Sequence, residues 1–489
     1  MSKRKTLFIP VIGLVILLIA LITGTVVFFL RRTPVETDLD AGKNGGVSSV
    51  VQPQTPGITP DVPEPGLPSP PGQTVDPETG QGAEPEPGSE PGSEPGAEPG
   101  AEPETGSGTG PEQPAEPLLR SDDLTGELTL TISDGKRAAT LLDRDYTTRH
   151  AFSAGASVTI DAPEEIHSLY IIWALPPGEW ELAGKETLTF GKDGFIHEYI
   201  NLPDPSSQLT MYLPRGGSTI CDIYAFTKGL PPDWVQIWDP PLQKADMLLL
   251  PTHADDEHLY FAGLMPLYAG ELGYNVQVAY LTNHWNQPPR PHELLNGLWA
   301  VGIRNYPVIG GFRDRYAESL SQATSIFGWD NVVDYQVELL RRFKPSVVVG
   351  HDLNGEYGHG VHMLNARALL TAVELAADRE YHAISNGLYG VWDTPKLYLH
   401  LYRENAINMD WSVPLERFNG ATAYDMAVIG YSFHKSQHGW SFAVPASGPR
   451  GHLFGLARSL VGVDTAGGDM FENIGFYRSS MNDGIMIFD

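Results

Sequence analysis

Between Thr33 and Pro117 the chain has hardly a large aliphatic or aromatic side chain to bury. Pro, Gly, Glu, Ser and Thr fill it, and "GSEPGSEPGAEPGAEP" (88–103) is a tetrapeptide repeat. Such a stretch cannot remove enough apolar surface from water to offset its chain entropy, which predicts a disordered linker over 33–117. Regular prolines and like-charged glutamates keep it extended, reaching about 260 Å as polyproline II and about 50 Å as a flexible coil. Any folded core must be built from the rest of the chain.

Residues 7–30, "LFIPVIGLVILLIALITGTVVFFL", carry no charge, enough helix to cross a hydrocarbon layer of roughly 30 Å. Lys3, Arg4 and Lys5 precede the run, and Arg31 and Arg32 come directly after it. A cleaved signal peptide, the alternative, has a shorter apolar core and a small-x-small site after it. The pattern predicts an uncleaved transmembrane signal anchor over 1–32, with the basic end cytoplasmic and the remainder extracellular. The chain would then be a single-pass protein of the cell membrane whose linker holds the folded part away from the lipid, as through a cell wall. With 60 Asp plus Glu against 32 Lys plus Arg, the net charge is -28, which repels nucleic acid and excludes it as a partner. The lone Cys221 permits no intrachain disulfide and reads as a core hydrophobe.

Over 118–236 short alternating runs ("ELTLTI", "SVTIDA", "SLYIIWAL", "QLTMYL") are broken by Gly, Pro and Asp turns. This pattern predicts an antiparallel β-sandwich. "LLDRDYTTRHAFSAGASVTI" and "CDIYAFTKG" loosely resemble discoidin-like, galactose-binding sandwiches. The domain is then either a carbohydrate-binding module or a spacer packed on the C-terminal half of the chain.

Over 237–489 apolar strands alternate with amphipathic helices. "MLLLP" (247–251), "VQVAYLT" (276–282) and "SVVVG" (346–350) read as strands. A helical stretch bent at Pro266 is expected to run to about Leu272. "HELLNGLWAVGI" (292–303) puts Leu294, Leu295, Leu298 and Trp299 on one helical face. Val361, Leu364, Ala368, Ala372 and Leu375 form another stripe. The fold class predicted is α/β, a Rossmann-like, mostly parallel sheet with flanking helices, in which ligands sit where loops leave the carboxyl ends of strands.

Two loops hold that position. One reads Thr252-His253-Ala254-Asp255-Asp256-Glu257, the other "HDLNGEYGHGVH" up to His362. Each alone is a weak signal, and the first is more often a helix cap with a neighbouring histidine than a ligand pair. Together, histidines and carboxylates without cysteine suit zinc with an open coordination position, other divalent ions remaining open.

"LLLPTHADDEHL", "RPHELLNGLWAVGI", "GFRD" and "GEYGHGVH", in that order, resemble the LmbE-like (PIG-L) zinc-dependent deacetylases of N-acetylglucosaminyl substrates. The resemblance covers about 240–375 well. Ala254 replaces a proline usual in the first motif, and Val361 an acidic residue usual before the last histidine. The resemblance implies zinc held by His253, Asp256 and His362. It implies Asp255 as general base, a cationic His359 as electrostatic stabiliser, and Tyr357 as a pocket-lining donor. Arg290 and Asp314 would contact substrate. Glu257 would sit in a helical first turn, favoured by the dipole, with His258 behind the metal ligands or at the surface. In "PKLYLHLY", Tyr398, His400 and Tyr402 share a strand face that would line a sugar cleft. In "YSFHKSQHGW", His434, Ser436, Gln437 and Trp440 serve either a sugar site or a buried network.

The expected function is a membrane-anchored extracellular zinc-dependent deacetylase acting on an N-acetylated sugar or cell-envelope glycan. The alternatives are a non-catalytic surface glycan-binding protein and a zinc hydrolase of another amide.

Overall fold

The computed structural model describes residues 119–135 and 138–475. The anchor and linker expected over 1–117 lie outside the described residues. Among the described residues no helix is long and apolar enough to cross a membrane.

The first sheet contains β1 (Thr129–Ile132), β2 (His150–Phe152), β3 (Ser157–Trp173), β4 (Trp180–Ala183), β5 (Thr187–Phe190), β6 (His197–Tyr212) and β7 (Ser218–Phe226). All pairings are antiparallel, in the order β2-β7-β3-β6-β4-β5 with β1 against β3. The expected sandwich is therefore one continuous sheet curled into a half-barrel. The cause lies in β3 and β6, whose pairing shifts register between Asp161 and Ser168. Such irregularities bend a strand and increase its twist. One half of β3 takes β1 as its second neighbour and the other half takes β7. Chain entry is zipped to chain exit: Ser121 N–H donates to Leu230 O (3.0 Å), Leu230 N–H to Leu119 O (2.9 Å) and Thr227 N–H to Asp122 O (3.0 Å).

The second sheet contains β8 (Met247–Leu249), β9 (Val276–Asn283), β10 (Val308–Arg313), β11 (Val347–Gly350), β12 (Lys396–His400), β13 (Ala406–Asn408) and β14 (Leu453–Ser459), in the order β10-β9-β8-β11-β12-β14-β13. Strands β8 to β12 pair in parallel, and β14 runs antiparallel to β12 and β13. The chain is thus mixed α/β. Met247 and Leu249 enter one apolar cluster while Leu248 and Leu250 enter another, the two-residue period of a strand covered on both faces.

The helices of the described residues are α1 (Asp256–Leu259), α2 (Arg290–Ala300), α3 (Leu320–Phe327), α4 (Trp329–Phe343), α5 (Gly360–Ala377), α6 (Ala383–Tyr389), α7 (Ala423–Ser432) and α8 (Pro449–His452). Leu294, Leu295 and Leu298 of α2 join Met426 and Ala427 of α7 on one face of the sheet. Val333 and Val337 of α4 join Leu364 and Ala368 of α5 on the other. The helix expected to run to Leu272 is interrupted: α1 ends at Leu259, and Pro266 lies in the first turn of a π-helical segment, Met265–Glu271, where its missing N–H does least harm. Strand β12 also departs from expectation. All five of its residues are buried, so Tyr398 and His400 line no cleft. Tyr398 donates to Asp464, and His400 sits between Glu356 Oε2 and Arg450 O, at 2.7 Å from each.

The first sheet packs on α2. Phe195 stacks on Tyr306 with ring centroids 4.3 Å apart, His197 Nε2 lies 3.0 Å from His292 Nδ1, and Gln236 donates to Asn296 (2.6 Å). One apolar cluster runs from Leu169 and Ile223 of this sheet through to Leu294 and Leu298.

Candidate functional site

Strand β8 lies where the order reverses, with β9 and β10 on one side and β11 and β12 on the other. The loops after β8 and β11 therefore leave neighbouring carboxyl ends and meet over the sheet edge. The structure brings together His253, Asp256 and His362 there. His253 Nδ1 lies 3.0 Å from His362 Nε2, and Asp256 Oδ2 lies 3.3 Å from the first and 3.1 Å from the second. Ligands about 2.0–2.1 Å from a tetrahedral ion stand about 3.3–3.4 Å apart. The donor set and its spacing fit such an ion.

Asp256 is held firmly. Its Oδ2 accepts from the N–H groups of Thr252 (3.1 Å) and His253 (2.7 Å). Burial pushes its pKa up, but His362 and His253 outweigh this and hold it well below the usual carboxylate range. Burial pushes the His362 ring the other way, down to about 4 despite Asp256, leaving it neutral as metal binding requires.

Asp255, beside this triad, has a φ of 119° and ψ of -27°, a region costing a non-glycine residue on the order of 1–3 kcal/mol. Its N–H donates to Glu257 Oε2 (2.8 Å), which holds the elbow. Burial lifts the Asp255 pKa well above its ordinary value; Arg290 opposes this, and Asp256, Glu257 and Asp314 add to it.

Arg290 and Asp314, implied as substrate contacts, are already engaged with the protein. Arg290 Nη2 donates to Ala254 O (2.7 Å) and lies 3.4 Å from Asp255 Oδ1. Asp314 reaches His253 Nε2 (3.5 Å), His284 Nδ1 (3.4 Å) and Arg290 Nη1 (3.5 Å). It is the carboxylate behind His253. His359 differs from the cationic group expected. Burial, with His253 and His362 adding to it, pushes its pKa down to about 3, so the ring is neutral. Its Nδ1 has no hydrogen-bond partner, and Val361 next to His362 is buried in the core. Tyr357 stands half exposed with its ring against His359 and His362.

His253, Asp255, Asp256, Arg290, Asp314, Tyr357 and His359 line an open cavity of about 720 Å³. Tyr316, Gln437, Trp440 and Phe442 line it as well, with Tyr316 packed on His359 and Phe442 on Tyr357. Gln437 and Trp440 thus reach the cavity as their sequence pattern allowed, whereas Ser436 N–H donates to Glu293 (2.8 Å) and His434 is buried beside Glu257. Glu257 lies in the first turn of α1, as expected, and His258 follows it inside the protein instead of at the surface. Both are fully buried, because α1 is only four residues long and its first turn is covered by α7 instead of facing water.

Sequence reasoning missed His284, His351 and Glu356. His351 Nε2 accepts from Thr252 N–H (3.0 Å), and its Nδ1 lies 2.8 Å from Glu356 Oε1. His284 Nε2 accepts from Ala254 N–H (3.0 Å). His284 and His351 are each the first residue after a parallel strand, β9 or β11, a signal the sequence did carry.

No family model matches the chain. Over 184 residues it is 28% identical to the 1D-myo-inositol 2-acetamido-2-deoxy-alpha-D-glucopyranoside deacetylase 1 of Catenulispora acidiphila, covering 32% of this chain and 56% of that one. Over 182 residues it is 30% identical to the corresponding deacetylase of Geodermatophilus obscurus, covering 31% and 60%. The chain therefore spans little more than half the length of these relatives. A solved N,N'-diacetylchitobiose deacetylase from Pyrococcus horikoshii is 15% identical over 40% of this chain and 72% of that one, with a TM-score of 0.31, a likeness too slight to bear on the site.

Proposed function

We propose that this protein is a metal-dependent deacetylase that hydrolyses the N-acetyl group of an N-acetylated sugar or cell-envelope glycan. The observation that carries the reading is three donor atoms within 3.0–3.3 Å of one another, on His253, Asp256 and His362, with the spare Asp255 carboxylate on the same cavity. The two deacetylase relatives support it. The three residues would hold a divalent ion, zinc by donor chemistry. Bound there, it supplies Lewis acidity toward water and an amide oxygen.

The chain's own residues do the rest. Asp255 takes the proton of the attacking water and delivers it to the departing amine. Arg290 and the strained backbone hold that carboxylate facing the cavity. Neutral His359 stabilises the oxygen of the tetrahedral carbon through an N–H, as a preorganised donor, not a cation. Asp314 fixes the ring of His253 from behind, as carboxylates behind ligating histidines do. Tyr316, Tyr357 and Trp440 offer apolar ring faces to a sugar, with Gln437 as a polar contact. The uncharged run 7–30 supports an exported, membrane-anchored enzyme.

The test is acetate release from a panel of N-acetylated sugars and glycan fragments. Activity is expected to disappear in a chelator and return with zinc. A chelator-insensitive protein, or one releasing no acetate from any panel member, overturns the reading.

A further inference from the structure

A second cluster lies under the Asp255 elbow. Glu257, His258 and His434 are all fully buried, and one ligand atom from each lies within 4.8 Å of the others. His434 Nε2 is 3.1 Å and His258 Nε2 3.6 Å from Glu257 Oε1. The first separation suits a hydrogen bond in length but not in direction. Glu257 Oε1 and all four ring nitrogens of the two histidines have no hydrogen-bond partner. Leaving one such buried group unsatisfied costs about 1–3 kcal/mol, and a single cation would satisfy three of the five, Glu257 Oε1 and one nitrogen of each ring.

The space they surround is kept open by a glycine. A Cβ on Gly297 of α2 would stand 2.6 Å from His258 Nε2, 3.2 Å from His434 Nε2 and 3.0 Å from Gly430 O. Two imidazoles, a carboxylate oxygen and a backbone carbonyl thus face one small cradle between α2 and α7. Two histidines and a glutamate are a familiar donor set for zinc.

We infer that Glu257, His258 and His434 form a second, buried site for a zinc-class divalent cation, separate from the His253/Asp256/His362 triad. Glu257 gives the site its role. One of its oxygens faces the cradle while Oε2 accepts the Asp255 N–H. A cation there fixes the carboxylate that holds Asp255 in its left-handed conformation. The site is structural, with no opening to the cavity.

The test is zinc content per chain, by mass spectrometry, of the untagged full-length protein after zinc loading and washing. It is run beside His362→Ala, which removes a ligand of the first site, and His434→Gln, which removes one of the second. The expected result is two zinc ions in the parent and one in each variant. One ion in the parent, kept in His434→Gln and lost in His362→Ala, overturns the second site while leaving the proposed hydrolase centre standing. One ion kept in His362→Ala and lost in His434→Gln supports the second site and refutes the first. Should His434→Gln not fold, His362→Ala decides alone: one retained zinc supports the inference, and none overturns it.

Discussion

At the scale of single residues, Asp255 and Asp314 are two carboxylates with different work. Replacing Asp255 by Asn keeps the shape, and Asn tolerates a positive φ better than most residues. Zinc should stay bound to Asp255→Asn while acetate release falls by about 10²–10⁴-fold, the usual scale of a lost general base. Unchanged turnover would remove Asp255 from that role. Asp314→Asn separates the substrate contact implied by resemblance from the position the structure gives it behind His253. Metal affinity, measured by competition with a chromophoric chelator, should drop by about 10–100-fold. A raised KM with unaltered metal affinity would restore the substrate assignment. The triad was legible because its residues lie just beyond apolar strands, and strand order does the rest. Glu257 and His434 were not, since 177 positions separate them in the chain and only the packing of α7 over α1 brings them together.

At the scale of elements, the start of α5 depends on Gly360. A Cβ there would lie 2.2 Å from Ser319 O, and Gly360 N–H donates to Ala317 O (2.8 Å). This contact seats the helix that carries His362. Gly360→Ala should destabilise the protein by about 1–3 kcal/mol, as overpacking does, and weaken metal binding with it. Denaturant unfolding with metal titration checks both, and an unperturbed midpoint would show that the loop yields freely. Parallel strands and the α2 and α5 stripes were readable from periodicity. The aromatic face of "PKLYLHLY" misled because alternation shows two faces of a strand, not whether the second is also covered. Here Glu356 and Asp464 cover it.

At the scale of the whole molecule, the curled sheet and the α/β unit share a core whose polar centre is the buried pair His197 and His292. Burial pushes His197 down to about 3, only partly offset by Gln236. The unfolded chain titrates near 6.5. Between these values the unfolded state binds the extra proton, so stability is complete above about pH 6.5 and declines as pH falls toward 3. For this ring the loss at pH 5 should be on the order of 1–2 kcal/mol. Unfolding curves at pH 7 and 5 should show it, and His197→Gln should shrink the difference; an equal pH effect in both proteins would place its origin elsewhere. Alternation predicted antiparallel strands but not that seven would close into one sheet, because register shifts inside β3 leave no mark on an apolar pattern.

The zipping of Leu119–Asp122 against Thr227–Leu230 has a mechanical consequence. A pull applied at Leu119 would be met first by these backbone hydrogen bonds, whose partners Thr227–Leu230 lead onward to the α/β unit. Parting the two segments means breaking these three backbone hydrogen bonds.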